Sequence, residues 1–443
     1  MKLSLPKNSR LLDKEFTFGV ATASFQIEGG IASRQACIWD TFCAKPETIA
    51  DNSDGSIACD HFNLWENDIN LIADMGVDAY RLSIAWGRVI NEDGSANADG
   101  IDFYRNLLSG LKARNIKTFV TLYHWDLPQH LEDNGGWLNR QTAYAFEQYA
   151  DIISAELADV VDSWATLNEP FCSSYLGYEI GIHAPGKAEQ AFGRQSAHHL
   201  LLAHGLAMKV LQKNCPQSMN GIVLNFTPGY SASDSEADRQ ATAYANDYFN
   251  WWYSRPIFEG KYPDIIDSFT DEIKPKILAG DMEIIATPID FLGVNFYTRA
   301  VYKAHPNDVF EEIPPTDAPV TDMGWEIYPA AFTGLLKELN QRYSLPPIYI
   351  TENGCAMKDN LTAGTVNDLG RIQYYQDHLN AVDEAITAGV NVQGYFGWSL
   401  MDNFEWALGY TKRFGLVYVD YDTQQRFLKE SGKAYSTLIK SRT

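Results

Sequence analysis

Pro347-Ile348-Tyr349-Ile350-Thr351-Glu352-Asn353-Gly354 is a short β-branched and aromatic run that ends in a lone carboxylate and a glycine. Such a run reads as a buried strand of a parallel sheet, with Asn353-Gly354 as the turn that stops it. The carboxylate therefore falls at a strand's C-terminal end. A second run, Val161-Asp162-Ser163-Trp164-Ala165-Thr166-Leu167-Asn168-Glu169-Pro170, has the same form, again with its glutamate just after the apolar residues. In a closed barrel of eight β/α units the C-terminal rim of the strands is where chemistry is built, so Glu352 and Glu169 are candidate reactive groups rather than solvated surface charges. Two carboxylates from two strand ends are what cleavage of a glycosidic bond requires.

Working outward, eight short apolar runs recur: Thr17 to Ala21, Ala79 to Ile84, Lys117 to Leu122, Ser163 to Leu167, Gly221 to Leu224, Phe291 to Val294, Ile348 to Ile350 and Val392 to Phe396. Helical periodicity fills several of the intervals, as in Phe62 to Met75, Ile101 to Ala113, Ala143 to Leu157 and Leu369 to Ala388. Alternating strand and helix imply an α/β fold with a parallel sheet, and eight repeats close it. The expectation is a single (β/α)8 TIM barrel with elaborated loops on its C-terminal face, with residues 1–443 forming one catalytic domain. Length alone also admits two or three average domains, but no tract divides the chain into parts of different character. The long polar segments are Asp51 to Ser56, Ser231 to Arg239 and Lys303 to Asp322. The last, rich in proline and acids, is read as a rim excursion beside the site.

The formal net charge of −22 argues against a nucleic-acid partner, which would be repelled at long range. Aromatic residues make up 13% of the chain, a surplus that serves core volume and also suits stacking on the C–H faces of sugar rings. Cys37, Cys43, Cys59, Cys172, Cys215 and Cys355 form no metal-site spacing, so free thiols in a reducing compartment are expected, with no metal and no cofactor. Neither a signal peptide nor a membrane span is legible, which gives a cytoplasmic expectation and no membrane partner. Oligomeric state is not legible.

The remaining strand ends carry polar groups suited to a sugar. Gln26, in Ser24-Phe25-Gln26-Ile27-Glu28-Gly29-Gly30, has a donor and an acceptor, a match for a vicinal diol. Arg81 follows Tyr80 at a second strand end and needs a carboxylate partner, for which Glu352 is available. His124 and Trp125 offer a hydroxyl donor and a packing wall, although a lone histidine is more often a satisfied core group. Asn168, directly before Glu169, is placed to bind a sugar 2-hydroxyl. Tyr297, in Val294-Asn295-Phe296-Tyr297-Thr298, offers a hydroxyl to hold the nucleophile. Glu405, in Trp398-Ser399-Leu400-Met401-Asp402-Asn403-Phe404-Glu405-Trp406, either caps structure or accepts from two sugar hydroxyls.

Taken together, Ile350-Thr351-Glu352-Asn353-Gly354, the stretch from Phe16-Thr17-Phe18-Gly19 to Ser24-Phe25-Gln26-Ile27-Glu28-Gly29, and Thr166-Leu167-Asn168-Glu169-Pro170 resemble glycoside hydrolase family 1, the β-glucosidase family of retaining (β/α)8 enzymes. The likeness runs from about Phe16 to about Asp420. It implies that Glu352 is the nucleophile and Glu169 the acid/base. It also implies that Gln26, His124, Asn168, Glu405 and Trp406 bind the sugar. Arg81, Asn295 and Tyr297 match the groups around the nucleophile, Trp325 an aglycone-side platform and Trp398 the floor beneath the sugar. Gly87 stands where the family usually has proline and Arg255 where it usually has aspartate, which bears on loop packing rather than chemistry.

The expected activity is hydrolysis of terminal non-reducing β-D-glucosyl residues, with β-D-galactosyl or β-D-fucosyl residues as further glycones. Small β-glucosides or cello-oligosaccharides are the expected partners. One alternative is a 6-phospho-β-glucosidase of the same fold. Glu405-Trp406 stands where the phospho-enzymes carry a Ser-x-Lys type loop and its carboxylate would repel phosphate, while Lys412 and Arg413 lie nearby in sequence. The other alternative is a catalytically inert sugar-binding barrel, which both retained carboxylates oppose.

Overall fold

In the computed structural model, which describes residues 2–442, parallel strands close on themselves. They are β1 (Thr17–Ala21), β2 (Ala79–Ser83), β3 (Lys117–Tyr123), β4 (Ser163–Asn168), β5 (Met219–Phe226), β6 (Phe291–Phe296), β7 (Ile348–Asn353) and β8 (Val392–Trp398). Each strand pairs with the next and β8 pairs with β1, so the barrel leaves no sheet edge open. This is a (β/α)8 TIM barrel. The apolar runs picked out by sequence are all strands, and several continue past the last apolar residue. They do so because the backbone pairing persists while polar side chains such as Asn168, Asn295 and Glu352 turn toward the rim.

Helices return the chain between strands: His61–Met75, Ala98–Lys112, Gln141–Leu157 and Leu369–Thr387 lie where periodicity expects them, and Gln190–Asn214, Pro329–Arg342 and Glu430–Lys440 complete the outer ring. Two apolar layers result. Inside the barrel, Phe119 packs on Phe396 at 4.9 Å and on Tyr349 at 5.4 Å, with Ala21, Ala79 and Ala165 giving the rings room. Large residues set against small ones fill a tapering interior. Outside, Leu107, Ile153, Leu200, Leu336 and Leu379 seal strands to helices.

Two polar segments hold more structure than their composition suggests. The tract Ser231 to Arg239 already contains the start of helix Glu236–Asn246, because Ser235 caps it by accepting from the Asp238 amide at 3.1 Å. In Lys303 to Asp322 the first part is a hairpin, Ala300–His305 with Asp308–Glu312, that joins Gly229–Ser231 in a small sheet on the rim. Proline density masked the hairpin because its prolines fall outside the paired residues.

Asn353 does not end its strand as a turn residue would. Its amide donates to the Phe296 carbonyl at 2.7 Å and its oxygen accepts from the Tyr395 hydroxyl at 2.5 Å, so one buried side chain ties β6, β7 and β8 together. Gly354 is required for close approach rather than for a turn: a Cβ there would lie 1.8 Å from the backbone oxygen of Trp398. Because that obstacle is backbone, relief would need β8 to move. Gly354→Ala is therefore expected to destabilise the fold by about 2–4 kcal/mol, seen as a lower urea midpoint at unchanged slope.

Candidate active site

Both candidate carboxylates stand where the barrel's register slips. On β4, Ala165 faces Gly221 and Asn168 faces Val223, an advance of three residues against two on β5. On β7, Ile350 faces Val294 and Glu352 faces Asn295, two residues against one. An extra residue in one strand bends it and re-aims the side chain that follows. Glu169 completes the turn with φ +45°, while Trp125 and Trp406 sit at +79° and +49°. For side chains of this size the left-handed region costs on the order of 1–3 kcal/mol each, and it is occupied here at three residues that share one cavity.

The groups around Glu352 are closely set. Arg81 Nη1 donates to its Oε1 at 2.7 Å and the Tyr297 hydroxyl donates to its Oε2 at 2.6 Å. Arg81 Nη2 donates to Asn168 Oδ1 at 2.6 Å, so a single guanidinium spans the nucleophile candidate and the residue preceding Glu169. Asn295 Nδ2 donates to Glu169 Oε1 at 2.6 Å and to Asn168 Oδ1 at 3.1 Å. Its own oxygen accepts from Thr351 at 2.7 Å, which fixes the amide's orientation. The second oxygen of Glu169 accepts from the Cys172 thiol at 3.0 Å. No cation touches Glu169 among the described residues.

These environments separate the three buried carboxyls. Burial, then the negative charge of Glu352, pushes Glu169 up to about 7. Burial and the charges of Glu352 and Glu169 push Glu405 to about 8. Glu352 is also raised by burial, but the Arg81 charge and the Tyr297 hydrogen bond pull it back, so it ionises first of the three. His124 is held far below its ordinary value by burial and by Arg81, and is neutral. Since its Nε2 accepts from Asn168 Nδ2 at 3.1 Å, the ring proton sits on Nδ1.

The cavity above these groups has a volume of about 500 Å³. His124, Trp125, Glu169, Asn295, Tyr297, Trp325, Glu352, Trp398, Glu405 and Trp406 line it, which brings together most of the residues expected from sequence. Arg81 and Asn168 lie directly behind, as partners of Glu352 and His124. Gln26 is fully buried, donating through Nε2 to the Phe404 carbonyl at 2.8 Å. Among the buried polar atoms of this region without a protein partner are Gln26 Oε1, His124 Nδ1 and Glu405 Oε2. A buried polar atom left in that state is costly unless a ligand satisfies it. Trp398 lies nearly parallel to His124 at 5.9 Å, and Trp406 packs on Trp125 at 4.5 Å. Trp325 leans on Tyr297 at 5.3 Å.

The loop after β8 that carries Glu405 and Trp406 is fastened from beneath. Asp402 accepts from Lys429 Nζ at 2.7 Å, Arg413 Nη1 at 2.6 Å and the Gly415 amide at 2.9 Å, all in the protein interior.

The profile described as "Glycosyl hydrolase family 1" matches residues 8–443 of this sequence. The chain belongs to glycosyl hydrolase family 1. A relative from Agrobacterium sp. (strain ATCC 21400), named beta-glucosidase, is 46% identical, with 96% of this chain and 94% of that one aligned. A Thermotoga maritima family 1 glycoside hydrolase, solved with a cyclophellitol analogue transition state mimic, superposes with a TM-score of 0.94 at 40% identity, covering 99% and 98% of the two chains. Virulence factor SghA from Agrobacterium tumefaciens, solved with its substrate analog salicin, superposes with a TM-score of 0.94 at 43% identity, covering 98% and 99%.

Sequence reading missed several residues that the family 1 barrel brings to this cavity. The sequence marks Cys172 only as a free thiol, although its place three residues after Glu169 on a turn sets it under that carboxylate. Asn225 and Arg299 lie just past the apolar runs of β5 and β6, a position that could have marked them. His183 and Phe414 come from loops without a periodic signal. The Cys172 thiol favours the ionised form of Glu169 and so draws its pKa down. Cys172→Ala is expected to raise that pKa by about half a unit to one unit, and Cys172→Ser, a stronger donor, to lower it, as followed by 13C NMR titration of carboxyl-labelled glutamate.

Proposed function

We propose that this protein is a retaining β-glucosidase that removes terminal non-reducing β-D-glucosyl residues from small β-glucosides and cello-oligosaccharides. The observation that carries the reading is the unequal treatment of two neighbouring carboxyls: Glu352 holds a guanidinium and a phenol hydroxyl, while Glu169 holds only neutral donors. Glu352 starts ionised and attacks the anomeric carbon; Glu169, kept protonated by burial and by the charge of Glu352, gives its proton to the departing oxygen. Once the glycosyl ester forms, the negative charge on Glu352 is gone. The pKa of Glu169 then falls, and it takes a proton from the water that releases the sugar with retained configuration.

Sugar hydroxyls would complete Gln26 Oε1, His124 Nδ1 and Glu405 Oε2, with Trp398 beneath the ring and Trp406 beside it. Asn168 would meet the 2-hydroxyl through the amide hydrogen that His124 leaves free. Trp325 would carry the aglycone. No step calls on a metal or cofactor. Among the described residues no helix is long and apolar enough to cross a membrane. Six cysteines kept as thiols support a cytoplasmic setting.

The cations that kept a phosphorylated glycone in view are engaged elsewhere. Lys412 Nζ donates to the Asp322 carbonyl at 2.6 Å, Arg413 is bound to Asp402, and Arg299, which lines the cavity, pairs with Glu326 at 2.8 Å. Glu405, held largely protonated by burial, would give a phosphate no positive counter-charge. An unphosphorylated aryl β-glucoside is accordingly expected to be hydrolysed at least tenfold faster, by kcat/KM, than its 6-phosphate; the opposite order would replace the glycone assigned here. Glu352→Gln is expected to abolish turnover, since an amide cannot form the ester. Glu169→Gln is expected to leave the phenol burst from an activated aryl glucoside but to stall cellobiose. Identical behaviour of the two variants toward the activated substrate would reverse the role assignment.

A further inference from the structure

Beyond the main cavity, a smaller chamber of about 170 Å³ opens on the aglycone side, sharing Phe171, Asn225, Thr227 and Glu312 with it. Its walls come from three irregular parts of the chain. Phe171 and Tyr175 belong to the wide helical turn around Cys172–Glu179, Phe249 to a second wide turn, Asp247–Trp251, and Tyr302 to the rim hairpin. Wide turns of this kind inside helices are frequent at functional sites. The rings form one cluster: Phe171 stacks on Tyr175 at 5.1 Å, Tyr175 meets Phe249 edge-on at 5.2 Å, and Phe249 stacks on Tyr302 at 6.3 Å.

Glu312 stands directly across the hairpin from Tyr302. Glu312 is exposed at the rim, and its carboxylate has no hydrogen-bond donor and no cation among the described residues. The neighbouring charges are already paired: Glu311 with Lys303 at 3.1 Å, Glu326 with Arg299 at 2.8 Å and Glu179 with Arg194 at 2.8 Å. Four aromatic rings, stacked in two pairs, and one uncompensated carboxylate border this small void, a lining that favours a cation over an anion. A neutral ring gains only the stacking.

We propose that this chamber is a charge-reading aglycone subsite, selecting glycosides whose leaving group bears an ammonium or similar cation over those bearing a carboxylate. This rests on the glycoside hydrolysis proposed above and names the leaving-group class that the same site prefers. Glu312 acts here on specificity, with no part in bond cleavage.

The experiment compares three phenyl β-glucosides carrying aminomethyl, hydroxymethyl or carboxymethyl groups at the para position, with wild type and Glu312→Gln, at low and high sodium chloride. The neutral compound is each enzyme's own reference, so differences in leaving-group ability cancel between enzymes. In wild type at low salt the cationic compound is expected to exceed the anionic one by about fivefold more in kcat/KM than it does in Glu312→Gln. That excess is expected to shrink at high salt. The same cation-to-anion ratio in both enzymes overturns the subsite while leaving the hydrolase reading in place. Failure of wild type to hydrolyse even the neutral compound overturns both.

Discussion

A single guanidinium holds the centre of this barrel. Arg81, which the sequence places at a strand end, is instead buried midway along β2 and bonds Glu352 on one side and Asn168 on the other. Of Glu169, Glu352 and Glu405, a cation directly contacts only Glu352, so the order in which they lose protons follows from position. Removing one partner of a buried pair leaves an uncompensated charge and costs about 3–5 kcal/mol. Here the arrangement does more than avoid that loss: it makes Glu352 an anion while its charge keeps Glu169 protonated. The proton inventory that hydrolysis needs is already present before any substrate arrives.

The fold supplies such an arrangement because its polar residues sit on different strands whose spacing the barrel closes rigidly. Regular strands alone would point alternate residues inward and outward. The slips of register on β4 and β7, together with left-handed backbone at Trp125, Glu169 and Trp406, depart from that alternation where the side chains must converge. Local strain of this kind persists only where the surroundings enforce it. The enforcement is visible in the Asn353 tether between strands and in the charged fastening of Asp402 beneath the β8 loop.

The two ends of the cavity are built differently. At the end that holds Glu169 and Glu352, polar atoms without partners come from strand ends and a fastened loop. At the opposite end, aromatic rings come from wide helical turns and a rim hairpin, elements that tolerate change without disturbing the barrel. The closed sheet thus fixes one end of the cavity while its margin shapes the other.

Strand-and-helix alternation, both carboxylates and the partners of Glu352 were legible in the chain itself, because period-two and helical patterns are local and because a polar residue after an apolar run marks a strand's end. The pairing of Arg81 with Glu352 was legible as a need, since a buried cation requires an anion. What tertiary structure decided were contacts between segments far apart in sequence. Asn353 is a strand tether rather than a turn residue because Phe296 and Tyr395 reach it, and Cys172 is a partner of Glu169 because a left-handed turn folds the helix start beneath the carboxylate. The isolation of Glu312 likewise depends on which neighbouring charges find partners elsewhere. Periodicity reports which way a residue faces; only closure of the barrel determines what it meets there.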